Sequence, residues 1–566
     1  MTDIASLRPV LAVLASALAV PLILALRDRP NLREGVTLAA ALAKFAIVAS
    51  LVPGVLDGEE VILSLGEFAI GIEFAFKVDA LGVLFAALAS LLWIVTSLYS
   101  IGYMRGLDEH DQTRYFASFA ASVSAVMGVA FASNLLTLFV FYELLTVATY
   151  PLVTHDETDE ARAAGRKYLA YTFGGGVAVL GGTALVFWLT GTTSFAAGGI
   201  EGLSNADPTL ARAAFVLLAG GFGVKAALMP MHSWLPDAMV APTPVSGLLH
   251  AVAVVKSGVF GVARLVLDVF GPDALADLGM ALPLAVVAAF TLLTASVIAL
   301  RQDNLKRRLA FSTVSQLSYI VLGLALLEGN ALIGGLLHIP AHAFMKLTLF
   351  FCAGAIHVET HTDDISDMAG IGKRMPLTMA AFGVAAAGMA GIPLVAGFVS
   401  KWYIVIGALE GGQLVFAGAL LFSGILNIAY FWPIVYQAYF ETPEDTDEKP
   451  LVTAPFGGRD GVRADGGDTT HESDTDGAEL GTDDAAPDPE HVDHLGKRHE
   501  GEDHHGGPPA GGWARVGWRG GESTWFMLGP ILTAATLSLL LGIVPRTAVF
   551  LRIVETIVGN LPGVAL

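Results

Sequence analysis

The chain reads as an all-α, polytopic membrane protein. Of its 566 residues 54% are hydrophobic and only 15% are charged, and the mean hydropathy is +0.64, far from the balance of a water-soluble domain. Apolar runs of roughly 20 residues recur along most of the length, each able to cross a hydrocarbon core of about 30 Å as a helix; fourteen are counted. Lys and Arg gather in alternate short loops, the charge asymmetry that orients spans in a bilayer.

The first run, residues 9–26, has only Arg8 as a basic flank and lacks a small-residue cleavage site, so it reads as a retained span. Arg27, Arg29 and Arg33 follow span 1, Arg105 follows span 3, and Arg162, Arg166 and Lys167 follow span 5. Arg301, Lys306, Arg307 and Arg308 follow span 9, and Lys373 and Arg374 follow span 11. The loops between, such as 54–67 and 191–208, carry little positive charge. Both termini are therefore expected outside the cell membrane, with the segment between spans 13 and 14 in the cytoplasm.

That segment holds much of the acidity. The formal charge is −20, yet Glu441 to His505 contains 20 acidic and five basic residues, leaving 32 and 27 for everything else. Rich in Gly, Pro, Asp and His and poor in apolar surface, residues 441–522 read as a disordered cytoplasmic insertion, with His494, His504 and His505 as solvated low-complexity residues in preference to metal ligands. Acidic excess with 21 Arg against 11 Lys fits a protein soluble at high salt, as in a halophilic prokaryote. The single cysteine, Cys352, excludes a disulfide framework, a CxxC zinc site and a cysteine-ligated cluster. No cofactor, no metal and no nucleic-acid partner is expected.

Ionisable residues inside the apolar runs are costly and point to an interior or hydrated cavity. Glu143 lies in "LLTLFVFYELLTVATYPLV", Lys225 in "GFGVKAALMPMHSWLPDA", and His250 and Lys256 in "GLLHAVAVVKSGVF". His338, His342 and Lys346 lie in "LLHIPAHAFMKLTLFF", spaced four apart and so on one helical face, and Lys401 lies in "GFVSKWYIVIGAL". A His/Lys row is too basic for a metal. One histidine of the row could be a structural strut on a backbone carbonyl. Lys44 is a further buried-span lysine, readable as a snorkelling side chain or a functional one.

Glu143 and Lys225 have opposite charge in spans two apart, an arrangement in which the carboxylate holds the lysine protonated and its removal releases the proton. Pro230 follows Lys225 closely, and Gly391, Pro393 and Gly397 precede Lys401. Breaks beside ionisable residues, occurring twice, are the sequence pointer to a transporter interior.

These stretches, with "HSWLPDAMVAPTPVSGLLHAVAVVKSGVF" (232–260), "RQDNLKRRLAFSTVSQLSY" (301–319), "HAFMKLTLFFCAGAIH" (342–357) and "GIPLVAGFVSKWY" (391–403), resemble the antiporter-like subunits shared by Mrp-type cation/proton antiporters, complex I membrane arms and related hydrogenases. The resemblance covers nearly the whole chain outside 441–522. It implies two inverted five-helix repeats, helices 4–8 and 9–13, with helices 7 and 12 broken. The corresponding division is 1–112 for helices 1–3, 113–270 and 271–440 for the repeats, 441–522 for the insertion, and 523–566 for helix 14 and the tail.

The resemblance also assigns roles. Glu143 matches the helix 5 glutamate, Lys225 the helix 7 lysine, Lys256 the helix 8 lysine with His250 beside it, His342 the helix 11 histidine, and Lys401 the helix 12 lysine toward the outer exit. It implies a proton passed along a hydrated Glu/Lys/His axis, gated by the Glu–Lys pair, within a hetero-oligomeric Na⁺/H⁺ antiporter. Only about 20 residues follow helix 14, and position 401 is lysine where one middle complex I subunit has glutamate, so the D-type Mrp subunit is the expected relative. The alternative is a proton-pumping subunit of a complex I or hydrogenase-type oxidoreductase. Neither makes this chain a redox enzyme by itself.

Overall fold

The computed structural model describes residues 2–4, 6–69, 71–442, 507–508, 513–516 and 521–564; His494, His504, His505 and the bulk of the acidic insertion lie outside them. Eleven helices among the described residues are long and apolar enough to cross a membrane. Helices α1 (Arg8–Ala17) and α2 (Ala19–Ala25) form the first such unit, and α3 (Pro30–Ala49) with α4 (Val52–Leu56) the second. They are followed by α5 (Ala80–Gly106), α6 (Gln112–Phe131), α7 (Leu135–Val153) and α8 (Asp159–Thr190). After short α9 (Glu201–Ser204), α10 (Pro208–Lys225) stops at the lysine itself, and α11 (Trp234–Asp237) resumes beyond the break.

Helix α12 (Thr243–Gly247) leads through a π-helical turn, Leu248–Val252, into α13 (Val254–Arg264) and then short α14 (Pro272–Leu278). Three long helices come next: α15 (Ala281–Leu300), α16 (Leu305–Ala325) and α17 (Gly329–Thr360). Helices α18 (Pro376–Ala390) and α19 (Ala396–Glu410) flank a second break, before α20 (Leu414–Phe440), α21 (Trp525–Ile543) and α22 (Phe550–Gly559).

Burial sorts these helices into an inside and a lipid-facing outside. The most apolar stretches of α16 and α17 are wholly buried, whereas those of α15 and α20 are only 39% buried. The outer helices expose large apolar side chains, Trp188, Val415 and Phe290 among them, as a surface in contact with acyl chains requires. The short loops also sort: 107–111, 154–158, 301–304 and 361–375 meet at one end, while Asp79, Ala197 and Asp268 meet at the other.

One expectation needs correction, since the fold is mostly rather than wholly helical. Residues read as a loop form a sheet in the order β1 (Thr2–Ile4), β2 (Glu59–Ala69), β3 (Ile72–Val78), with β1 parallel and β3 antiparallel to β2. In "IEFAFKV" (72–78) the bulky apolar residues Ile72, Phe74, Phe76 and Val78 fall at every second position, the period of a β-strand. Gly71, at φ +79°, makes the tight turn between the strands.

Within the segment read as an insertion, the described end is docked. The Trp513 indole donates to the Ala369 carbonyl at 2.9 Å, the Val516 N–H donates to the Lys373 carbonyl, and Glu522 accepts from the Leu377 and Thr378 N–H groups. Glu522 thus satisfies the first turn of α18, whose N–H groups have no intrahelical partner.

Candidate functional site: a buried row of lysines and histidines

Every lysine and histidine predicted at depth is buried: Lys225, His250, Lys256, His338, His342 and Lys346 have no exposed surface, and Lys401 is 9% exposed. Glu143 is half-buried.

The site starts where α10 ends. Lys225 Nζ donates to the Tyr142 carbonyl on α7 and lies 3.4 Å from the centre of the Tyr142 ring, a cation–π contact. Glu143 is the next residue, yet no ion pair within 4.0 Å joins it to Lys225 among the described residues, and its Oε1 is buried without a hydrogen-bond partner. The pair expected from sequence is therefore adjacent but unformed. Gly176 on α8 leaves room for the carboxylate, since a Cβ there would collide with Glu143 Oε1. A carboxylate oxygen without a donor in a low-dielectric interior is unstable alone, so the spare position beside it is a place for a proton or an ammonium.

The break after Lys225 is built from specific partners. Ala227 adopts φ +54°, the Val224 carbonyl accepts from both the Ala227 N–H and, at 2.9 Å, the Trp234 indole, and the Met229 N–H reaches Thr291 Oγ1 on α15. Helix α13 presses close at Gly258, where any side chain would meet the Lys225 and Ala226 backbone. Polar backbone is thereby held in order beside the lysine.

Further along, Lys256 Nζ and His342 Nδ1 are 2.6 Å apart, linking α13 to α17. The His342 and His338 rings, one turn apart, have centroids 6.1 Å apart. The His338 ring contacts two side chains, Ser400 Oγ at 2.8 Å and Gln316 Oε1 at 2.9 Å, so it is no simple strut on a backbone carbonyl. Next to Ser400, Lys401 donates to the Met389 carbonyl, freed at the end of α18, and sits 4.6 Å from the Tyr319 ring centre. The two breaks repeat one device: a carbonyl in the last turn of a helix is taken up by a side chain from beyond the interruption.

Two predicted members stand off this line. His250 packs on Phe350, with both ring nitrogens unpartnered among the described residues. Lys346 donates to the Leu309 carbonyl at 3.0 Å and to Ser312 Oγ on α16. Lys44 is fully buried rather than snorkelling, bonded to Ser16 Oγ and the Val123 carbonyl and facing the Trp93 ring.

Sequence reasoning missed Tyr142, Tyr319, Gln316 and Ser400, which are ordinary residues of apolar spans until the helices pack. It also missed a buried charge cluster at the opposite end of α13. There Arg264 bonds Asp79 through both terminal nitrogens and Asp268 through one, at 2.6–2.8 Å, joining the start of α5 to the end of α13. The spacing of Arg264 and Asp268 carried a faint signal, an i, i+4 pair.

A polytopic helical protein with two interrupted helices and a buried, hydrogen-bonded row of ionisable side chains has the general make-up of an ion-translocating membrane protein. The chain belongs to the NADH:quinone oxidoreductase/Mrp antiporter family, whose transmembrane model matches residues 132–427; the complex I chain 5 N-terminus model matches 63–116. It is 34% identical over 389 residues to the N subunit of the NADH-quinone oxidoreductase of Desulforudis audaxviator, covering 67% of this chain and 76% of that one. It is 32% identical to the A/B subunit of a probable K⁺/H⁺ antiporter of Rhizobium meliloti, over 73% of this chain and 41% of the relative. With the A subunit of the Na⁺/H⁺ antiporter of Alkalihalophilus pseudofirmus it shares 37% identity, over 59% and 42%. The match thus spans less than half the length of these two antiporter relatives. In fold it resembles a chain of the Mrp complex from Dietzia, with a TM-score of 0.76 at 24% identity, covering 99% of this chain and 98% of that one.

Proposed function

We propose that this chain is the proton-conducting subunit of a multi-subunit, Mrp-type Na⁺/H⁺ antiporter in the cell membrane, of the D type. The observation that carries the reading is the row itself: Lys256 against His342, His342 above His338, His338 on Ser400, and Lys401 the next residue. Protons move between such groups directly or through single waters, so a row crossing α13, α17 and α19 suits conduction better than structural support.

Glu143 and Lys225 form the switch at one end. The lysine rests on the Tyr142 carbonyl and ring, and a swing toward the neighbouring carboxylate makes the ion pair. Pairing favours the charged ammonium; parting favours loss of its proton to the row. His250 and Lys346 flank the line as further exchange sites, and Lys401 delivers to the outer side. On this reading the three spans counted in sequence beyond the eleven long apolar helices are those made of shorter helices, α10–α11, α12–α13 and α18–α19. The two breaks at related positions support inverted repeats over helices 4–8 and 9–13. On this reading both termini are outside.

The relative in Desulforudis favours a second assignment, a proton-pumping membrane subunit of a redox complex. Purification of the native assembly separates them: small hydrophobic antiporter subunits support the first, flavin or iron–sulfur proteins the second. The mechanism is tested in inverted vesicles. Lys225→Ala or Glu143→Ala abolishes cation-dependent proton exchange while the complex still assembles, and Lys401→Ala blocks it similarly; unchanged exchange refutes the assignment.

A further inference from the structure

At the end of the molecule where α5, α7 and α17 finish, two loops 45 residues apart in sequence bring together Glu109, His110 and His155. One ligand atom from each, a carboxylate oxygen and two ring nitrogens, lie within 4.8 Å of one another. His155 has no exposed surface, yet neither of its ring nitrogens has a hydrogen-bond partner among the described residues. Next to it, Asp156 Oδ1 is also buried and unpartnered. Buried polar atoms are nearly always satisfied by protein, water or an ion, and here a fully buried imidazole with neither nitrogen partnered lies beside a second histidine and a carboxylate.

The ring of His110 is already oriented. Its Nε2 is 2.9 Å from the His155 carbonyl, leaving Nδ1 facing Glu109 Oε2 at 3.7 Å. A ligating histidine characteristically donates its other N–H to a backbone carbonyl, which fixes the tautomer and turns the free lone pair toward the metal. The rings of His110 and His155 stack with centroids 4.8 Å apart, and Tyr115 closes the far side of His155 edge-on. Arg114 bonds the Glu157 carboxylate and the His155 carbonyl.

We propose that Glu109, His110 and His155 form a binding site for a divalent transition metal of the Zn²⁺ class, with Asp156 or water in the fourth position. Two imidazoles and a carboxylate are a standard ligand set for such an ion, and the edge of a tetrahedron with bonds of about 2.0–2.1 Å is roughly 3.4 Å. Ligand atoms now within 4.8 Å therefore need only a small closure. The ion fastens the loop after α5 to the loop after α7, and so restrains the end of the helix that carries Glu143. Neither the ligand set nor its test depends on whether the chain moves protons.

The test uses the full chain in its native complex, with the six histidines between 471 and 505 replaced by glutamine so that they contribute no binding. Equilibrium titration with Zn²⁺, and with Co²⁺ followed by its visible absorption, is expected to show one site per chain. His110→Ala and Glu109→Gln, which change partly exposed side chains, weaken it by about tenfold or more, as does His155→Ala. Absence of a stoichiometric site, or an affinity unmoved by His110→Ala and Glu109→Gln, overturns the proposal.

Discussion

Lys225 shows how burial and local partners replace a distant guess. A lysine in an apolar span must be accompanied, and Glu143 is the one carboxylate within the neighbouring spans. The structure puts Glu143 beside it and gives the ammonium the Tyr142 carbonyl and ring instead. Gly176 is the other half of the arrangement, because its missing side chain is the space into which the carboxylate points. Gly176→Val should displace Glu143 and lower proton exchange by at least about tenfold, roughly 1.4 kcal/mol or more at the rate-limiting step. Vesicle transport compared with the amount of assembled complex checks this; full activity at normal assembly would leave the glycine without a role. Glu143 and Lys225 were legible in sequence as charges at depth. Gly176 was not, because one glycine of the "FGGGV" run is told from the others only by what lies opposite.

At the scale of the element, the breaks after α10 and α18 are held by side chains that bond carbonyls in the last turn before each break. Trp234 does this for α10. Trp234→Phe keeps the ring and removes the donor, leaving the Val224 carbonyl with the Ala227 N–H as its backbone partner, a loss of one hydrogen bond that costs about 0.5–1.5 kcal/mol. A lower Tm of the purified complex and slower exchange are expected, and an unchanged Tm would show that the Ala227 N–H alone holds the carbonyl. The positions of the breaks were readable from Pro230 and Pro393. Their closure was not, since the indole acts across ten residues and an irregular turn. The β-hairpin was equally available as a period-two pattern, but between two apolar runs it resembled a loop.

For the whole molecule, the described end of the long acidic segment is part of the helical body. Glu522 caps α18, and its removal by Glu522→Ala should cost about 1–2 kcal/mol, as for loss of a helix N-cap. Thermal unfolding of the complex should fall by a few degrees, with transport per assembled complex preserved because α18 bears none of the row. Loss of transport at unchanged stability would instead tie the segment to the conduction path. Composition marked the acidic segment as unable to build a core, yet within 441–522 the described Trp513 and Glu522 belong to the body, by contact and not by composition.

The sequence by itself determined that this chain lives in a membrane, roughly where it crosses, which loops share a side, and which charged side chains lie at depth. Those properties are local: hydropathy, spacing and loop charge are written in consecutive residues, and the cost of a bare charge in lipid permits few alternatives. Only the tertiary structure decided which groups meet. Lys256 finds His342 across 86 residues and His110 finds the His155 carbonyl across 45, pairings set by how helices pack, which no short stretch of the chain encodes.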